Sequence, residues 1–481
     1  LADLKVAREY YLPGYYNNSR RIGSSVRLVL SDSFRWPKDM KWYPDYEDGL
    51  YDDKARLAKK YDELIAQNEK LIRKQKLQDW LPNGKLRNAD GTVQDISYSC
   101  GDFAHSNGPT KLGLVTVATI NLQDSAPNLT RTSIVGESGQ VFASKNNLYI
   151  ANEHWWWWPA PGQTDYTYLH KFDITDPNKA VYVASGGVDG HIVDQFSMDE
   201  DSAGFFRVAT TISSRVADQN NPWGRIETTN KISVLGENNG ALNVVGQTPE
   251  IAKGERIFSS RLLEGKGYVV TYHQVDPFFT VDLSDPTNPH VVGELKIPGF
   301  STYIHPLDAD HVLTIGTYIP ENSTDWRLRS LQLAIFDVSD FANPKQTFTQ
   351  KVGDGYSWSE AAYDHHAFNY FKEKKQLAIP FYDWDYQQTG DGYWSTFKSE
   401  IRVFGIDTQT GITPVGSLSM ADLYQSYSYN NWTWYWSPWV RRSVMADNYV
   451  YAISDAGIRV ADIANLSQPV ATVQFDGYSY P

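Results

Sequence analysis

A short phrase that begins with Asp recurs four times along the chain. It reads DITDPN at residues 173–178, DLSDPTNP at 282–289, DVSDFANP at 337–344 and DIANLSQP at 462–469. Each copy stands between two apolar runs, and Asp, Ser, Asn and Pro are residues that tight turns prefer. The repetition predicts a repeated unit in which this turn joins two strands.

A second phrase precedes these turns and consists of an apolar run, a short polar turn and another apolar run. Examples are residues 140–151, 257–271, 303–316, 367–380 and 443–454. An inner strand pair followed by an outer pair makes a four-stranded blade, and a series of such blades is a β-propeller. Six units follow Ser133, and residues 112–135 add an outer pair whose inner partners we expect within residues 95–108. The predicted fold is all-β: a β-propeller over residues 94–481, with seven blades of four antiparallel strands, while six or eight blades stay open.

Residues 1–93 have a different pattern and are predicted to form an N-terminal extension. Leu57, Tyr61, Leu64, Leu71 and Ile72 recur at helical spacing among many Lys and Glu residues, which predicts one amphipathic helix over about residues 53–77. Asp52 or Asp53 can cap its start, and Pro82 with Gly84 ends it.

Charge and composition exclude several classes of protein. The formal charge of −13 repels nucleic-acid phosphates and anionic lipids. The sequence has no apolar run of about 18 residues that could span a bilayer, and its single cysteine excludes an intrachain disulfide. Because the chain starts at Leu1 without a signal-like segment, we expect a mature secreted, periplasmic or cell-surface protein.

Long stretches of the chain resemble a known family, the secreted bacterial and archaeal proteins that contain a C-terminal β-propeller domain. The resemblance lies in residues 190–211, 254–299, 301–316 and 364–380 and covers most of residues 133–465. The family's acidic stretch before the first blade is replaced by SYSCGDFAHSNGPTKLGL at residues 97–114, which is more similar to the myxobacterial-type variant. The resemblance implies the propeller fold and an exported location, but no reaction.

Polar residues at the starts of the predicted inner strands are the first site candidates. They are the metal-ligand candidates His191, His305, His365 and His366, and the ligand-binding candidates Arg256, Arg261, Arg441 and Arg442. Equivalent strands of different blades converge on a central channel, where imidazoles can bind Zn or Cu. The alternative is that these side chains only satisfy buried carbonyl groups.

A second metal candidate combines Cys100, Asp102 and His105, three ligand types close together in sequence. The alternatives are nucleophilic catalysis by a Cys/His pair and a buried free cysteine without a role. Acidic runs at residues 199–201, 308–310 and 383–385 are candidates for Ca²⁺ or, alternatively, solvated turns.

Tryptophan is unusually common, with 16 residues. His154 precedes four consecutive tryptophans, Trp155, Trp156, Trp157 and Trp158, and Trp432, Trp434 and Trp436 alternate along another segment. Flat rings on loops can stack on sugars or on a protein partner, whereas the alternative is dry packing between elements.

These observations favour an exported binding or structural module. It would hold a metal ion in its channel and a glycan or cell-envelope protein on a Trp-rich face, or would self-assemble. The alternative is a metal-assisted polysaccharide lyase, in which Arg neutralises a uronate carboxylate while His or Tyr moves the proton.

Overall fold

The computed structural model describes residues 5–108, 110–124, 128–154, 160–272, 276–297, 299–320, 329–353, 357–383, 398–423, 425–429, 432–436 and 439–475. The chain folds into two units. Unit 1 comprises Leu1–Trp155, Tyr166–Val188 and Glu237–Asn243, and unit 2 comprises Trp156–Asp165, Asp189–Gly236 and Val244–Pro481. Strands dominate both units, so the all-β prediction is confirmed.

The elements of the first part of the chain, in order, are β1 (Arg8–Tyr11), β2 (Tyr15–Ile22), β3 (Ser25–Asp32), α1 (Lys54–Lys74), α2 (Leu77–Trp80), β4 (Gly84–Asn88), β5 (Val93–Ile96), β6 (Leu114–Asn121), β7 (Leu129–Val135), β8 (Gln140–Ala143), β9 (Asn147–His154), β10 (Tyr166–Asp173) and β11 (Val181–Asp189). No helix among the described residues combines the length and the apolar character needed to cross a lipid bilayer.

The first sheet of unit 1 has the order β2-β3-β6-β7. Strand β3 pairs with β6 along its whole length, from Ser25 opposite Asn121 to Asp32 opposite Leu114. The expectation that the inner pair lies within residues 95–108 is therefore wrong. That segment carries the 3-10 turn Cys100–Asp102, whereas the alternating buried pattern of β3 is what a sheet strand needs.

The helical segment is an insertion between β3 and β6, where the sequence indicated an extension ending near residue 93. Helix α1 starts at the Asp53 cap, whose carboxylate accepts hydrogen bonds from Ala55 N and Arg56 N. Strands β4 and β5 form a small separate sheet with β1.

The second sheet of unit 1 runs β8-β9-β10-β11. A further strand, beginning at Ala241, pairs with β11 in parallel, with Ser185 opposite Ala241. A tight turn leads into this strand, and its residues Asn239 and Gly240 both have positive φ angles, 52° and 80°. An Asn-Gly pair is the sequence that tolerates such a turn best.

The remaining strands are β12 (Met198–Glu200), β13 (Phe206–Asp218), β14 (Asn221–Asn238), β15 (Ala241–Gln247), β16 (Arg256–Leu263), β17 (Lys266–Tyr272), β18 (Asp276–Asp282), β19 (His290–Ile297), β20 (Phe300–Pro306), β21 (His311–Tyr318), β22 (Ser330–Asp337), β23 (Lys345–Val352), β24 (Ser357–Trp358), β25 (Asn369–Phe371), β26 (Gln376–Asp383), β27 (Lys398–Asp407), β28 (Gly411–Ser419), β29 (Gln425–Tyr429), β30 (Trp432–Trp436), β31 (Val440–Ala446), β32 (Tyr449–Ser454), β33 (Gly457–Asp462) and β34 (Pro469–Gln474).

In unit 2 consecutive strands form successive antiparallel sheets. Four-stranded sheets run from β16 to β19, from β20 to β23 and from β31 to β34. Between the last two lies a sheet of β26, β27 and β28 whose first strand is shared by β24 and β25. The predicted inner strand pairs at residues 257–271, 303–316, 367–380 and 443–454 are confirmed by these pairings.

The core of unit 2 lies between successive sheets. One cluster joins Leu313 and Leu333 to Leu377 and Phe404, and another joins Val403 to Val450. The middle strands are buried on both faces, as β21 and β26 show. This explains why they are continuous apolar runs in the sequence.

A bulge recurs in the first strand of several sheets. The pairing register shifts between Ile257 and Ser259 in β16, between Ser301 and Tyr303 in β20, and between Val440 and Arg442 in β31. Bulges change the direction in which the next side chains point. In β20 and β31 these next residues are Tyr303 and Arg442.

The recurring Asp phrase closes the hairpin between the third and fourth strands, as predicted. Asp337 Oδ1 accepts hydrogen bonds from Ser339 N at 2.9 Å and from Ser339 Oγ at 2.6 Å. Asp282 makes the same pair of bonds with Ser284. These bonds hold the pKa of both carboxyl groups below its usual range, because they favour the charged form.

We expect Asp337→Ala to lower the urea midpoint at pH 7, because the turn loses its hydrogen-bond acceptor. A carboxyl group whose folded pKa is depressed stabilises the protein above its unfolded pKa, and this contribution is lost as pH falls through the folded value. The difference from wild type should therefore shrink as the pH falls below the ordinary pKa of an aspartate, about 3.9. Asp337→Asn is the control: it keeps an acceptor oxygen and should retain most of the stability. An equal loss in both variants would contradict this account.

Candidate functional site

A polar cluster lies against the first strands β16 and β20 of unit 2. We call it the Arg261 cluster, and it comprises Asp194, Gln195, Phe196, Arg261, Tyr303, His305 and His365. Asp194 caps the 3-10 turn Gln195–Ser197 by accepting hydrogen bonds from Phe196 N at 2.8 Å and Ser197 N at 3.2 Å. Ser260 Oγ donates to Ser197 Oγ at 2.8 Å, which fixes this turn on β16 beside Arg261.

Arg261 is the cation of the cluster. Its guanidinium carbon lies 4.5 Å from the centre of the Phe196 ring, a cation–π contact. Its Nη1 atom is buried and has no hydrogen-bond partner within the described part of the chain, while the guanidinium group as a whole also interacts with the Tyr303 hydroxyl group. A buried guanidinium donor without a partner costs free energy unless a water, an anion or a ligand supplies an acceptor.

Aromatic rings surround this cation. The Tyr303 ring lies 5.2 Å from Phe196 and 4.9 Å from Phe368, and His305 lies 5.1 Å from Phe368. Tyr303 Oη and His305 Nδ1 are 3.3 Å apart. The cluster therefore combines one guanidinium with a half-buried wall of rings.

His365 extends the cluster toward a second group of charges. The ring contacts Phe196 edge to face at 5.0 Å, and Gln195 Nε2 lies 2.8 Å from His365 Nε2. On its other side His365 contacts the ring of His366, with centroids 3.9 Å apart. Both histidines belong to the 3-10 turn His365–Ala367, which Asp364 caps.

The second group is an ion-pair network of Glu360, Asp364, Arg441 and Arg442. Arg442 bonds to both Asp364 and Glu360, the latter at 3.1 Å. Arg441 lies 3.4 Å from Glu360 and 3.8 Å from Asp455. Both guanidinium groups are thus held in direct ion pairs, whereas Asp194 and Asp199 act on Arg261 through their electrostatic field.

Three titratable groups of the Arg261 cluster have shifted pKa values. Burial raises the pKa of Asp194 to about 6, although two backbone N–H groups and Arg261 act in the opposite direction. Burial, with a smaller contribution from Arg261, lowers the pKa of His305 to about 4. Burial also raises the pKa of Tyr303. Such shifts concentrate at functional sites, because reacting groups need tuned proton affinities.

The arrangement supports two kinds of chemistry. Arg261 can hold an anion between aromatic walls, where a low local dielectric strengthens the ion pair. At neutral pH His305 is uncharged and has a lone pair, while Asp194 changes its charge between pH 5 and 7. The cluster is therefore suited to anion binding and to proton transfer.

Asp364, His365 and His366 are the described side chains that fit a metal ion. One ligand atom from each lies within 4.8 Å of the others, and Asp364 Oδ1 is 2.8 Å from His366 Nδ1 and 3.9 Å from His365 Nδ1. Tetrahedral Zn²⁺ with bonds of about 2.0 Å sets its ligands about 3.3 Å apart, so small shifts would suffice. The bond from Arg442 to Asp364 competes with such an ion.

The other first-strand candidates do not join this trio. His191 exchanges backbone hydrogen bonds with Thr211, and its Nδ1 lies 3.4 Å from Asp165 Oδ2. His305 belongs to the Arg261 cluster described above. Arg256 lies over the Phe258 ring at 4.9 Å on the exposed part of β16. A channel site would bring His191, His305 and His366 together on one ion. Among the described residues, the group that could hold a metal ion is instead Asp364, His365 and His366.

The Cys100, Asp102 and His105 candidates occupy the inserted segment of unit 1. Cys100 and His105 are exposed. Asp102 accepts a hydrogen bond from Ser99 N at 2.8 Å and pairs with Arg131 at 3.2 Å. Asp102 therefore has a structural role in closing the 3-10 turn.

The tryptophan candidates fall largely outside the described residues. Trp155, Trp156, Trp157 and Trp158 lie there entirely, and Trp432, Trp434 and Trp436 belong to β30, whose side chains are not described. His154 contacts Tyr168, with ring centroids 6.2 Å apart.

Sequence reasoning missed Asp194, Gln195, Phe196, Tyr303 and Glu360. Asp194 had a usable signal, since Asp followed by a short polar turn is a typical cap. Tyr303 stands two residues before His305 in an alternating strand, which places both on one face. Nothing local indicates that Glu360 pairs with arginines about 80 residues later, because that contact depends on how the strands assemble.

Two relatives share parts of the sequence, and both are uncharacterized proteins of archaea. One, of Methanocaldococcus jannaschii, is 37% identical over 235 residues, which is 49% of this chain and 33% of the relative. The other, of Archaeoglobus fulgidus, is 39% identical over 181 residues, which is 38% of this chain and 25% of the relative. The matches thus span a third or less of the relatives' lengths.

The comparison with solved structures finds hydrazine synthase of Kuenenia stuttgartiensis, at 8% identity and a TM-score of 0.32, covering 63% of this chain and 76% of that one. Sqt1 of Chaetomium thermophilum follows at 10% identity and a TM-score of 0.32, covering 70% and 89%. Likenesses this low carry no conclusion about function.

The beta propeller domain family matches residues 1–466, nearly the whole chain, including the strands β2 and β3 that complete the first sheet. The chain belongs to the beta propeller domain family.

Proposed function

We propose that the protein is an exported, seven-bladed β-propeller that acts as a binding module for an acidic glycan. Seven groups of consecutive strands support seven blades: β2, β3, β6 and β7, then β8–β11, β12–β15, β16–β19, β20–β23, β24–β28 and β31–β34. The second and third groups are joined into one eight-stranded sheet by the parallel pair of β11 and β15. Export and the myxobacterial-type variant rest on the sequence resemblance. A glycan or cell-envelope protein on the Trp-rich segments, and self-assembly, remain part of this proposal.

The observation that carries the proposal is the Arg261 cluster. Arg261 has a buried donor without a described partner and lies against Phe196, close to Tyr303 and His305. A uronic acid residue matches both features, since it has one carboxylate for the guanidinium and C–H groups for the rings. The net charge of −13 acts against polyanions in general, acidic glycans included, so the affinity for a uronate would come from the local contacts of Arg261 and the rings.

We expect wild-type protein to bind oligogalacturonate in isothermal titration calorimetry, and Arg261→Gln to bind at least about tenfold more weakly. Arg256→Gln is a matched control on the same strand and should bind like wild type. Binding should be tighter at pH 5 than at pH 7.5, because Asp194 is then protonated and no longer competes for Arg261. Equal affinities of the two variants would disprove this site.

The alternative function is a lyase, and the shifted pKa values of Asp194, His305 and Tyr303 favour it. In β-elimination His305 would take the proton from C5 of a uronate, the C4–O bond would break, and a C4=C5 double bond would form. Tyr303 would protonate the leaving oxygen, while Arg261 neutralises the carboxylate and so acidifies C5–H.

For the lyase, ultraviolet absorbance of an unsaturated uronate should appear when wild-type protein is mixed with polygalacturonate or alginate. Tyr303→Phe should lose at least about 100-fold in kcat while keeping its affinity for oligogalacturonate. Absence of unsaturated product from wild type leaves the binding module as the function and rejects the lyase.

We also propose a Zn or Cu ion at Asp364, His365 and His366. Plasma mass spectrometry of natively purified protein should find about one equivalent of metal, and His366→Ala should lose it. The control His290→Ala, at the start of β19 and outside the trio, should keep it. If wild-type protein contains no metal, the three side chains serve only the ion-pair network and the metal proposal is rejected. If it contains only calcium, the acidic turns are the metal site instead.

A further inference from the structure

A group of exposed aromatic rings lies on the inserted segment of unit 1, and none of its residues belongs to the sites described above. Trp42, Tyr43, Tyr46 and Tyr51 are 61%, 70%, 79% and 53% exposed, and Trp36 is 38% exposed. We call these five residues the aromatic surface. Among the large hydrophobic residues exposed between positions 33 and 53, all are aromatic and none is aliphatic.

The tryptophans of this surface rest on the buried part of unit 1. The Trp36 ring packs edge to face against Trp42 at 5.0 Å and against Trp80 at 5.6 Å. Trp80 in turn packs on the buried residues Leu81, Tyr98 and Leu114. This series of ring contacts fixes the orientation of the outermost ring, that of Trp42.

The segment that carries the rings is attached to helix α1 at separate points. Asn68 Nδ2 donates to Lys41 O at 2.7 Å, and Lys41 N donates to Asn68 Oδ1 at 3.4 Å. Glu47 pairs with both Arg56 and Lys60 at 2.5 Å.

The same segment is also anchored by burial, since Leu50 has no exposed surface. Exposed rings on a segment fixed in this way lose little conformational entropy when they bind a ligand.

The charges around the rings select the ligand. Residues 37–53 contain six acidic and two basic side chains, and Arg56 and Lys60 of α1 also pair with Glu47, which leaves a net charge of −2 for this group. Their negative field repels acidic glycans and leaves neutral sugars unaffected. Carboxylates are also acceptors for sugar hydroxyl groups, and the negative faces of aromatic rings attract the C–H groups of a sugar ring.

We propose that the aromatic surface binds a neutral polysaccharide, independently of the Arg261 cluster. Exposed rings flanked by carboxylates match a neutral sugar, which offers C–H groups to the rings and hydroxyl groups to the carboxylates; a protein partner is an outcome that the test below distinguishes. The molecule would thus have a neutral-glycan site on unit 1 in addition to the acidic-glycan site proposed on unit 2.

The test is affinity electrophoresis of the full chain in gels that contain soluble neutral β-glucan, xylan or glycogen. At least one of these probes should retard the wild-type protein. Trp42→Ala should weaken that retardation by at least about tenfold in apparent Kd. Trp223→Ala is a matched control, because Trp223 is 71% exposed on β14, and should migrate like wild type.

Raising the salt concentration should leave the retardation unchanged, because a neutral ligand has no charge to screen. Arg261→Gln should also leave it unchanged, which separates this proposal from the function proposed for unit 2. Thermal melts of Trp42→Ala should match wild type. Wild-type migration that none of the three glycans slows, or equal retardation of Trp42→Ala and wild type, would overturn the proposal. Dimerisation of wild type that Trp42→Ala abolishes would instead assign the surface to a second copy and also overturn it.

Discussion

Burial of both faces of each sheet is the constraint on which the rest of the structure depends. The middle strands β21 and β26 are apolar on both sides, so a single sheet would leave one face in water. Successive sheets in unit 2 remove this cost, which is why its apolar clusters join residues of neighbouring sheets. Polar groups are then confined to the first strand of a sheet, the turns beside it and the exposed fourth strand, of which β23 is an example.

The Arg261 cluster consists of side chains from two first strands, β16 and β20, and from the turns beside them. Short turns capped by Asp194 and Asp364 bring Gln195, Phe196 and His365 against Arg261 and Tyr303. Burial then raises the pKa of Asp194 and lowers the pKa of His305, because it disfavours the charged form of each group. Arg441 and Arg442 lie in a neighbouring network where Glu360 and Asp364 offset their charge. The difference between these arginines is what identifies Arg261 as the one suited to a ligand.

The turn phrases and inner strand pairs were predictable because their signals are local: an Asp cap, a turn and an apolar run occur within about 15 residues. The first sheet was not, because β3 pairs with β6 across an insertion of some 80 residues, and pairing over that distance leaves no local pattern. The sequence singled out His305, His365 and Arg261 as site residues but not Asp194, whose importance comes from burial. It likewise gave no reason to prefer Trp42 over the other tryptophans, since exposure is a property of the folded chain.

A crystal structure of the protein with bound trigalacturonate tests the central claim most directly. The account predicts a carboxylate oxygen within hydrogen-bond distance of the Arg261 guanidinium, about 2.7–2.9 Å, with a sugar ring against Tyr303 or Phe196. A trigalacturonate carboxylate bound to Arg441 or Arg442, with Arg261 paired only to Asp194, would contradict it.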